Sequence, residues 1–503
     1  MILVSELMAE LLSELERGEL TGTLTGTLRV TPSPLHDSLD AELVGVAHDS
    51  RAVAPGVLFA CLRGAASDGH DHASQAVASG AVALLVDHEL SAVGSVAQVV
   101  VDDTRRALGP VSSLVYERPS RRLTTVGITG TNGKTTTAQL TAAIFEANGW
   151  PTGVVGTLHG ARTTPEAPEL QQTLATFIDE GASAAVLEVS SHALALHRVD
   201  GTEFDAVIFT NLGRDHLDLH GSTEEYFRAK AQLFDPRFAP LALVNTDDPY
   251  GRLLADVIAD SDGIRVVELT LDDVSDIEVS TSSHAYTWRG HRVDVPIGGR
   301  FNVMNSLSAL VTAVELGIDA EVAVAGLARV EAIPGRFESI ADAATFGFSV
   351  IVDYAHTPDG LAEVLASARA VADPGSSVIV VFGAGGERDR DKRPEMGAVA
   401  SRLADRIVVT SDNPRMEDPM DIIGDILGGM NRDRNPGPTG DPTSALLVEV
   451  DRRAAIAAAL AGAQRGDVVV IAGKGHERTQ DLGGRIVEFD DRLVARELLA
   501  ALS

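Results

Sequence analysis

Short apolar runs alternate with longer amphipathic segments along most of the chain. Runs that are rich in β-branched residues and bounded by Gly, Pro, Asn, Asp or Ser predict buried strands. They lie at residues 44–47, 57–60, 81–86 and 99–101, then at 124–128, 184–189, 206–210 and 241–244, and finally at 349–352, 377–382, 406–410 and 468–471. Helical spacing predicts helices over the first 20 residues and over 139–145, 226–234, 298–313, 359–372 and 454–463. Strands that alternate with helices indicate an α/β fold with mostly parallel sheets.

Two stretches depart from this alternation. Residues 266–292 alternate polar and apolar positions, which predicts short antiparallel strands at an edge of the structure. Residues 431–443 are rich in Gly, Pro and Asp and predict a loop without core residues.

The length of the chain predicts about three domains, because 503 residues are too many for one hydrophobic core. One boundary is expected just before the strand at residue 124. A second is expected at the linker Pro334-Gly335-Arg336. The predicted domains are therefore residues 1–121, 122–336 and 337–503.

The stretch TTVGITGTNGKTTT, residues 124–137, joins a predicted strand to a predicted helix through a glycine-rich turn. Backbone N–H groups at such a turn bind phosphate, Lys134 adds a positive charge, and Thr135 offers a hydroxyl to Mg²⁺. The general pattern has a glycine where this chain has Ile128, so the loop is shorter than usual. The flanking strand and helix favour a nucleotide-phosphate loop over a chance Gly-Lys-Thr turn.

The formal net charge of −31 argues against a nucleic-acid partner, whose phosphates would be repelled. An anionic nucleotide ligand would therefore need arginines and lysines concentrated at its site. Cys61 is the only cysteine, which excludes an intrachain disulfide and a zinc site built on several cysteines. The sequence has neither a signal peptide nor an apolar run of about 20 residues, so we expect a cytoplasmic protein without a membrane partner.

Polar residues follow several predicted strands, which is where α/β sheets bind their ligands. Glu188 ends one strand, and the segment NLGRDHLD with His216 follows the next. A carboxylate and an imidazole at these points suit Mg²⁺-phosphate chemistry, although each alone is equally a capping or core residue. Lys230 lies among apolar neighbours on a predicted helix, and the pattern leaves open whether it is solvated or buried.

Nine segments together resemble the Mur ligase family, the ATP-dependent amide-forming enzymes of peptidoglycan precursor synthesis, and the resemblance covers nearly the whole chain. The segments are GTNGKTT (130–136), EVSSH (188–192), NLGRDHLD (211–218), AKAQLF (229–234), NVMN (302–305), PGRFE (334–338), DYAHTPD (353–359), DNPR (412–415) and GKGHE (473–477). DYAHTPD and GKGHE are similar to the family members that add the third peptide residue. DNPR resembles the version that adds meso-diaminopimelate and not L-lysine.

The resemblance implies three α/β domains: a central P-loop domain with a parallel sheet, an N-terminal domain that binds UDP, and a C-terminal Rossmann-like domain that binds an amino acid. It implies ATP as co-substrate, Mg²⁺, a monomeric cytoplasmic enzyme, and a role in cell-wall synthesis and hence in cell shape and division. The implied acceptor is UDP-N-acetylmuramoyl-L-alanyl-D-glutamate. Its side-chain carboxylate attacks the γ-phosphate, and the amine of meso-diaminopimelate then displaces phosphate from the acyl phosphate.

The resemblance also implies roles for individual residues near ATP. The catalytic group is Lys134, His216, Lys230 and Arg336. ATP is expected to be bound by Gly130, Thr131, Asn132, Gly133, Lys134, Thr135, Thr136, Asn302, Asn305, Arg336 and Asp353. Thr135 and Glu188 are expected to hold one Mg²⁺, and His216 with Lys230 a second. In this family the matching lysine is carbamylated, which makes it an oxygen ligand for Mg²⁺ and requires a neutral amine beforehand.

Two further groups of residues carry the implied substrates. Those expected at the UDP-substrate are Ser50, Ala65, Ala66, Ser67, Thr163, Thr164, Ser190 and Arg198. Those expected at diaminopimelate are Arg393, Asp412, Asn413, Pro414, Arg415, Gly473 and Glu477, because arginines bind carboxylates in bidentate fashion. The chain departs from many relatives at Arg162 and Leu196, where they carry Asn and Gln, and residues 65–67 lack the polar side chains of some relatives.

Three alternatives stay open. The chain resembles an L-lysine-adding ligase in most of the same motifs, but Arg415 favours diaminopimelate because lysine has no distal carboxylate. A folate polyglutamate synthetase has a related fold. A nucleotide-dependent switch protein would use the same phosphate loop without needing Lys230, Arg415 or residues 473–477.

Overall fold

The chain folds around three large sheets in a computed structural model that describes residues 2–17, 29–31, 40–64, 67–93, 96–215, 217–259, 261–430 and 445–502. Three expected site residues, Ala65, Ala66 and His216, and the predicted loop at 431–443 lie outside the described residues. Each large sheet has apolar clusters on both faces, as expected for parallel sheets covered by helices.

The N-terminal part contains a five-stranded sheet in the order β2-β7-β6-β5-β4. Its elements are β1 (Ile2–Leu3), α1 (Val4–Arg17), β2 (Arg29–Thr31), β3 (Glu42–Leu43), β4 (Gly45–Ala47), β5 (Val57–Ala60), α2 (Ala73–Ala78), β6 (Ala83–Val86), β7 (Ala97–Val100) and α3 (Thr104–Val115). Helix α1 buries Val4, Leu7, Met8 and Leu11, which confirms the predicted amphipathic helix. Strands β4 to β7 are parallel, so their carboxyl ends share one edge.

The central part is built on a six-stranded parallel sheet in the order β13-β12-β11-β8-β10-β9. Its strands are β8 (Thr124–Thr129), β9 (Thr152–Val155), β10 (Ala184–Glu188), β11 (Ala206–Phe209), β12 (Leu241–Asn245) and β13 (Arg265–Leu269). Its first helices are α4 (Lys134–Ala147), α5 (Ala167–Asp179), α6 (Ser191–Ala195), α7 (Leu217–His220), α8 (Thr223–Ala231) and α9 (Pro249–Ile258). The chain leaves β8 toward one side of the sheet and later returns to its other side. The end of β8 is therefore the topological switch point, where such sheets bind ligands.

A small antiparallel sheet follows, formed by β14 (Val274–Val279), β15 (His284–Trp288) and β16 (His291–Val295), with α10 (Phe301–Glu315) and α11 (Ala320–Leu327) after it. The prediction of antiparallel strands over residues 266–292 is correct for β14 to β16. It is wrong for the start of that range, which belongs to β13. Strand β13 pairs in parallel with β12, at the edge of the large sheet. Its partial exposure there produced the polar alternation that was interpreted as antiparallel.

The C-terminal part contains a six-stranded sheet in the order β17-β18-β22-β19-β20-β21, parallel except for β17. Its elements are β17 (Glu338–Ser339), β18 (Ser349–Asp353), α12 (Pro358–Val371), β19 (Val378–Phe382), α13 (Lys392–Leu403), β20 (Arg406–Val409), α14 (Pro419–Gly428), β21 (Leu446–Val448), α15 (Arg452–Ala461), β22 (Val468–Ala472), the hairpin β23 (Thr479–Leu482) with β24 (Arg485–Glu488), and α16 (Asp491–Leu502). Within the described residues, no helix combines the length and apolar content that a membrane crossing needs.

Candidate active site

The phosphate loop lies at the carboxyl end of β8, between the end of the strand and the start of α4. Gly130 and Gly133 have φ values of 151° and 85°, in the region that favours glycine. A Cβ on Gly130 would lie 1.9 Å from Thr210 Oγ1, so no larger residue fits this close approach. Asn211 braces the loop, since its side-chain oxygen accepts from the Asn132 N–H at 2.9 Å. The short loop is thus held open by its neighbours at the start of a helix, where anions bind.

Two lysines meet at this loop. Lys134 Nζ donates to the carbonyls of Gly130 at 2.8 Å and Thr131 at 2.9 Å, and Lys230 Nζ donates to the same Gly130 carbonyl at 2.8 Å. Lys230 comes from α8, is 1% exposed, and also lies over the ring of Tyr226. Burial, and then the charge of Lys134, hold the pKa of Lys230 well below its usual range. The pattern left the environment of Lys230 open, and the structure shows that its side chain is buried, an environment that disfavours the charged form.

Oxygen ligands collect beside the lysines, at the end of β10. Glu188 is 1% exposed and accepts from the Thr135 hydroxyl at 2.9 Å and from the Thr157 hydroxyl at 3.1 Å. The Thr157 hydroxyl lies 3.0 Å from that of Thr163. A carboxylate and hydroxyls are the hard oxygen donors that Mg²⁺ prefers, so this set fits the ion. Thr157 was not singled out in the sequence, because an isolated threonine gives no signal there.

The linker between the central and C-terminal parts adds a cation from the other side. Arg336 Nη2 donates to Thr135 Oγ1 at 3.1 Å, and its guanidinium lies 4.4 Å from the centre of the Tyr354 ring. Asp353, at the end of β18, accepts from the N–H groups of Phe337 and Ala355, each at 2.7 Å. Burial raises the pKa of Asp353. The structure therefore brings Thr135, Arg336 and Asp353 together, as expected for the residues on either side of an ATP site.

Most of these groups line one cavity of about 490 Å³ between the central and C-terminal sheets, whereas Lys230, bonded to the Gly130 carbonyl, is not among the lining residues. Asn305 lines the cavity, and its Nδ2 donates to Asn302 Oδ1 at 2.8 Å; Asn302 lies behind it, fully buried, and donates to the Gly298 carbonyl at 2.7 Å. Other lining residues were not predicted from the sequence: Thr210, Asn245, Asp248, Tyr354, His356 and Glu363. Burial and three nearby carboxylates raise the pKa of Glu363 to about 7. Asp248 and His356 follow strands or a strand-end loop, so position alone could have suggested them.

The residues expected at the UDP-substrate lie in two places. Ser50 and Ser67 follow β4 and β5 at the carboxyl edge of the N-terminal sheet, where Gly64 N–H donates to the Ser67 carbonyl. The other four described residues lie beside Glu188 in the central part: Thr163, Thr164, Ser190 and Arg198. There the Thr164 hydroxyl donates to the Glu188 carbonyl at 2.8 Å and accepts from the Ser190 N–H at 3.0 Å.

Arg198 is part of a charged cluster that the sequence did not reveal. It donates to the Thr164 carbonyl at 3.2 Å and pairs with Glu166 at 2.9 Å. Glu166 is buried and also pairs at 2.6 Å with Arg105, which belongs to the first turn of α3 in the N-terminal part. Arg162 lies 3.7 Å from the same carboxylate. The cluster joins the N-terminal and central parts next to the residues expected to bind the muramoyl-peptide.

The residues expected at diaminopimelate gather around the loop after β22. Lys474 is fully buried and donates to Asn413 Oδ1 at 3.1 Å and Glu477 Oε2 at 2.9 Å. Asp412 packs on Gly473, where an added Cβ would lie 2.7 Å from its carboxylate. The role of Lys474 was not predicted, because a lysine in a polar loop is usually solvated.

The two arginines expected here contact the same glycine-rich loop, residues 383–386, but differ in their other partners. Arg415 Nη1 donates to the Gly386 carbonyl at 2.6 Å, while the adjacent Pro414 packs against the same glycine. Arg393 donates to the Gly385 carbonyl, but its side chain is 1% exposed and pairs with Glu417 at 3.0 Å and Asp425 at 2.9 Å. Of the two, Arg415 is the one without a carboxylate partner among the described residues.

The linker also contacts the loop after β22. Gly335 has a φ of 62°, and a Cβ there would lie 2.1 Å from the backbone of Gly475 and His476. The rings of Tyr354 and His476 lie 5.2 Å apart. Burial lowers the pKa of His476 to about 4, with the charge of Arg336 acting in the same direction. One continuous path therefore runs from the phosphate loop through Arg336 and Tyr354 to residues 473–477.

Comparison with known proteins identifies this arrangement. Three family models match in succession: "Mur ligase family, catalytic domain" at residues 42–116, "Mur ligase middle domain" at 128–313, and "Mur ligase, glutamate ligase domain" at 335–475. A curated relative from Syntrophomonas wolfei is 42% identical over 482 residues, covering 92% of this chain and 95% of its own length. The chain belongs to the Mur ligase family. It is therefore an ATP-dependent ligase, as the resemblance predicted.

Two curated relatives and one solved structure share one name. The Syntrophomonas protein and one from Streptomyces avermitilis, 41% identical over 484 residues (92% of this chain, 93% of the relative), are each named UDP-N-acetylmuramoyl-L-alanyl-D-glutamate--2,6-diaminopimelate ligase. A solved structure of a ligase with that name has a TM-score of 0.64 at 32% identity and covers 92% of this chain and 95% of its own. The MurF ligase of Thermotoga maritima in complex with ADP has a TM-score of 0.60 at 18% identity, covers 93% of this chain and 98% of its own, and supports the three-domain fold.

Proposed function

We propose that this ligase adds meso-diaminopimelate to UDP-N-acetylmuramoyl-L-alanyl-D-glutamate, with ATP converted to ADP and phosphate, in peptidoglycan precursor synthesis. The observation that carries the proposal is the single path from the phosphate loop through Arg336 to residues 473–477. It would bring the proposed ATP site and the proposed amino-acid site to opposite sides of Arg336. The names of the relatives, about 40% identical, support the choice of substrates.

The ATP phosphates would lie at Gly130 to Thr136, where helix α4 begins. Lys134 now donates to two loop carbonyls, and a bound phosphate offers it a stronger, charged acceptor. Arg336 would neutralise the γ-phosphate from the linker side. Asn305, supported by Asn302, and Asp353 would serve the nucleoside.

Mg²⁺ fits the oxygen donors of the site. Thr135 and Glu188 would hold one ion, and His216 with carbamylated Lys230 a second. When bound, Mg²⁺ neutralises phosphate charge. Lys134 and Lys230 donate to the same Gly130 carbonyl, so a positive charge on both would be unfavourable, and a carbamate on Lys230 would replace that repulsion with attraction. Burial and the charge of Lys134 lower the pKa of Lys230, which favours the neutral amine that would react with CO₂.

The reaction has two steps. A side-chain carboxylate oxygen of the D-glutamate attacks the γ-phosphorus, the bond to ADP breaks, and an acyl phosphate forms. The free amine of diaminopimelate then attacks the acyl carbon, loses a proton, and phosphate leaves with the former carboxylate oxygen. Arg336, the phosphate loop and Lys134 stabilise the charge on the transferred phosphate, which is the main demand of phosphoryl transfer.

Selection of diaminopimelate would rest on its distal carboxylate. Arg415 suits this group, because it has no carboxylate partner among the described residues, whereas Arg393 is already paired with two carboxylates. Glu477, Asp412 and the Gly473 carbonyl would face the ammonium groups. Arg393 would then position the Gly385–Gly386 segment through its bond to the Gly385 carbonyl.

The UDP end of the acceptor would lie at Ser50 and residues 65–67. Its peptide would reach Thr163, Thr164, Ser190 and Arg198, beside Glu188. We propose that the enzyme acts in the cytoplasm as a monomer, since one chain contains all the groups named.

The test measures phosphate release with the UDP-linked dipeptide and ATP, offering meso-diaminopimelate, L-lysine or no amino acid. An acceptor labelled with ¹⁸O in the glutamate side chain should yield phosphate carrying one ¹⁸O atom. We expect rapid release only with diaminopimelate. Equal release under all three conditions would overturn the ligase proposal in favour of a nucleotide switch, and preference for lysine would overturn the choice of amino acid.

A further inference from the structure

A group of metal-ligating side chains lies in the N-terminal part, away from the ATP cavity. His70, Asp87 and His88 each offer one ligand atom, and these atoms lie within 4.8 Å of one another. His70 belongs to the 3₁₀ turn Gly69–His72 that follows β5, and Asp87 and His88 directly follow β6. The group therefore joins the carboxyl ends of two neighbouring parallel strands.

The hydrogen bonds around His70 leave the lone pair of its Nε2 atom facing Asp87. His70 Nδ1 lies 2.6 Å from Asp68 Oδ1, and because a carboxylate only accepts, Nδ1 carries the hydrogen. In the neutral ring Nε2 is then an acceptor, which agrees with the Asp87 N–H donated to it at 3.3 Å. This carboxylate–histidine arrangement is the usual second shell of a metal-bound histidine.

Nε2 of His70 also lies 3.2 Å from Asp87 Oδ1. Two acceptor atoms at this distance repel each other unless a proton or a metal ion lies between them. The same Oδ1 lies 2.5 Å from His88 Nδ1, so one carboxylate oxygen faces both imidazoles. The other oxygen, Oδ2, accepts from Arg63 Nε at 2.7 Å, which fixes the orientation of the carboxylate.

We propose that His70, Asp87 and His88 bind a divalent transition-metal ion of the zinc class. Two imidazoles and one carboxylate form a set that zinc accepts, with metal–ligand distances of about 2.0–2.2 Å that place ligand atoms roughly 3.3 Å apart. The 3.2 Å separation of His70 and Asp87 already suits this spacing, and the His88 contact must lengthen by less than about an ångström. The side chain of His70 is 5% exposed and that of His88 is 55% exposed, so a fourth position opens to solvent.

The ion would link the loop after β5 to the end of β6. Ser67 of that loop is among the residues proposed to contact UDP, so the ion would brace this loop without contacting ATP. The binding experiment does not depend on that proposed function.

The test measures Zn²⁺ bound to the full chain by equilibrium dialysis after chelator treatment. Excess Mg²⁺ is present throughout to compete at the oxygen ligands of the ATP site. His88→Ala removes an exposed ligand. His72→Ala is the matched control, since His72 lies in the same 3₁₀ turn as His70 but outside the metal-ligating group. We expect one equivalent of Zn²⁺ that His72→Ala keeps and His88→Ala weakens at least tenfold. Asp68→Asn should weaken it about 10–100-fold through the second shell.

Co²⁺ gives a second readout in wild type, His72→Ala and His88→Ala. Visible absorption bands of a tetrahedral Co²⁺ complex should develop with wild type and His72→Ala and be lost with His88→Ala. Zn²⁺ should raise the melting temperature of the first two proteins only. Equal Zn²⁺ binding by all variants, or no tight equivalent in wild type, would overturn the proposal and leave a proton between His70 and Asp87.

Discussion

At the scale of single residues, the site depends on ionisable side chains whose pKa is shifted by burial. Lys230 is the clearest case, because its amine lies beside that of Lys134 on one carbonyl group. Neighbours along the sequence could not decide this, since Lys134 is distant in the chain. A neutral, buried amine is what carbamylation requires, and the carbamate would reverse the charge at this point.

Lys230→Ala should therefore reduce ligase activity by at least about a hundredfold, because it removes a group proposed to hold Mg²⁺. Arg228→Ala, on the exposed face of the same helix, is the control and should leave activity unchanged. Added bicarbonate should not restore the Lys230 variant. An active Lys230→Ala enzyme would contradict the carbamate role.

Arg415→Ala should raise the KM for meso-diaminopimelate about ten- to a hundredfold, because a charged hydrogen bond of 1.5–3 kcal/mol is lost. The KM for ATP should stay the same. The exposed Arg478 lies in the same region, and Arg478→Ala is the matched control. Equal effects of the two substitutions on KM would contradict a specific contact with the distal carboxylate.

At the scale of elements, two contacts hold the site in position, and the first is the packing of the linker on residues 473–477. Gly335→Ala forces a methyl group into the backbone of Gly475, and displacement of about 1 Å in such a site costs about a hundredfold in rate. Gly317→Ala is the matched control. Gly317 has a similar positive φ, of 91°, but nothing lies within 4 Å of its added Cβ. Steady-state kinetics should show a large fall in kcat/KM for the amino acid with Gly335→Ala and none with Gly317→Ala. Equal falls in the two variants would mean that backbone strain at a positive φ, and not the contact with Gly475, causes the loss.

The second contact joins β15 to α10 through a buried histidine. His284 Nδ1 lies 2.6 Å from the Ile297 carbonyl and Nε2 lies 2.8 Å from Ser306 Oγ. Burial lowers the pKa of His284 to about 4, so the folded state stays neutral while an unfolded chain protonates below about 6.5. The stability that depends on neutral His284 is complete above pH 6.5 and is lost as the pH falls toward 4.

Urea unfolding at pH 7 and pH 5 tests this. Wild type should lose about 2 kcal/mol more than His284→Gln between the two, because linkage contributes 1.36 kcal/mol per pKa unit. The glutamine keeps one donor and one acceptor but does not titrate. An identical pH dependence in the two proteins would contradict a neutral His284.

The sequence predicted most strands and helices, since apolar runs and capping signals are local. It predicted the phosphate loop for the same reason. It missed the Arg105–Glu166–Arg198 cluster and the contacts of Lys474, because their partners lie in other elements and only the fold brings them together. Strand β13 was misjudged because an exposed edge strand alternates like an antiparallel one. The pairing of Arg393 with Glu417 and Asp425 likewise has no sequence signal.

At the scale of the whole molecule, the acidic surface and the anionic ligands are reconciled by local concentration of positive charge. The net charge is −31, yet Lys134 and Arg336 both lie at the phosphate loop between two sheets. The contact of Arg214 with Glu395, and the Arg214 N–H bond to Asp359 at 2.7 Å, hold the central and C-terminal parts together there. The assembled molecule, and no single domain, contains the proposed reaction site.

The most direct test of this account is a competition between amino acids followed by mass spectrometry. The enzyme is incubated with ATP, Mg²⁺ and the UDP-linked dipeptide, together with equal amounts of meso-diaminopimelate and L-lysine. We predict a product heavier by one diaminopimelate residue, with one ADP formed per product and only a trace of the lysine adduct. A dominant lysine adduct, or ADP formed without any adduct, would contradict the account.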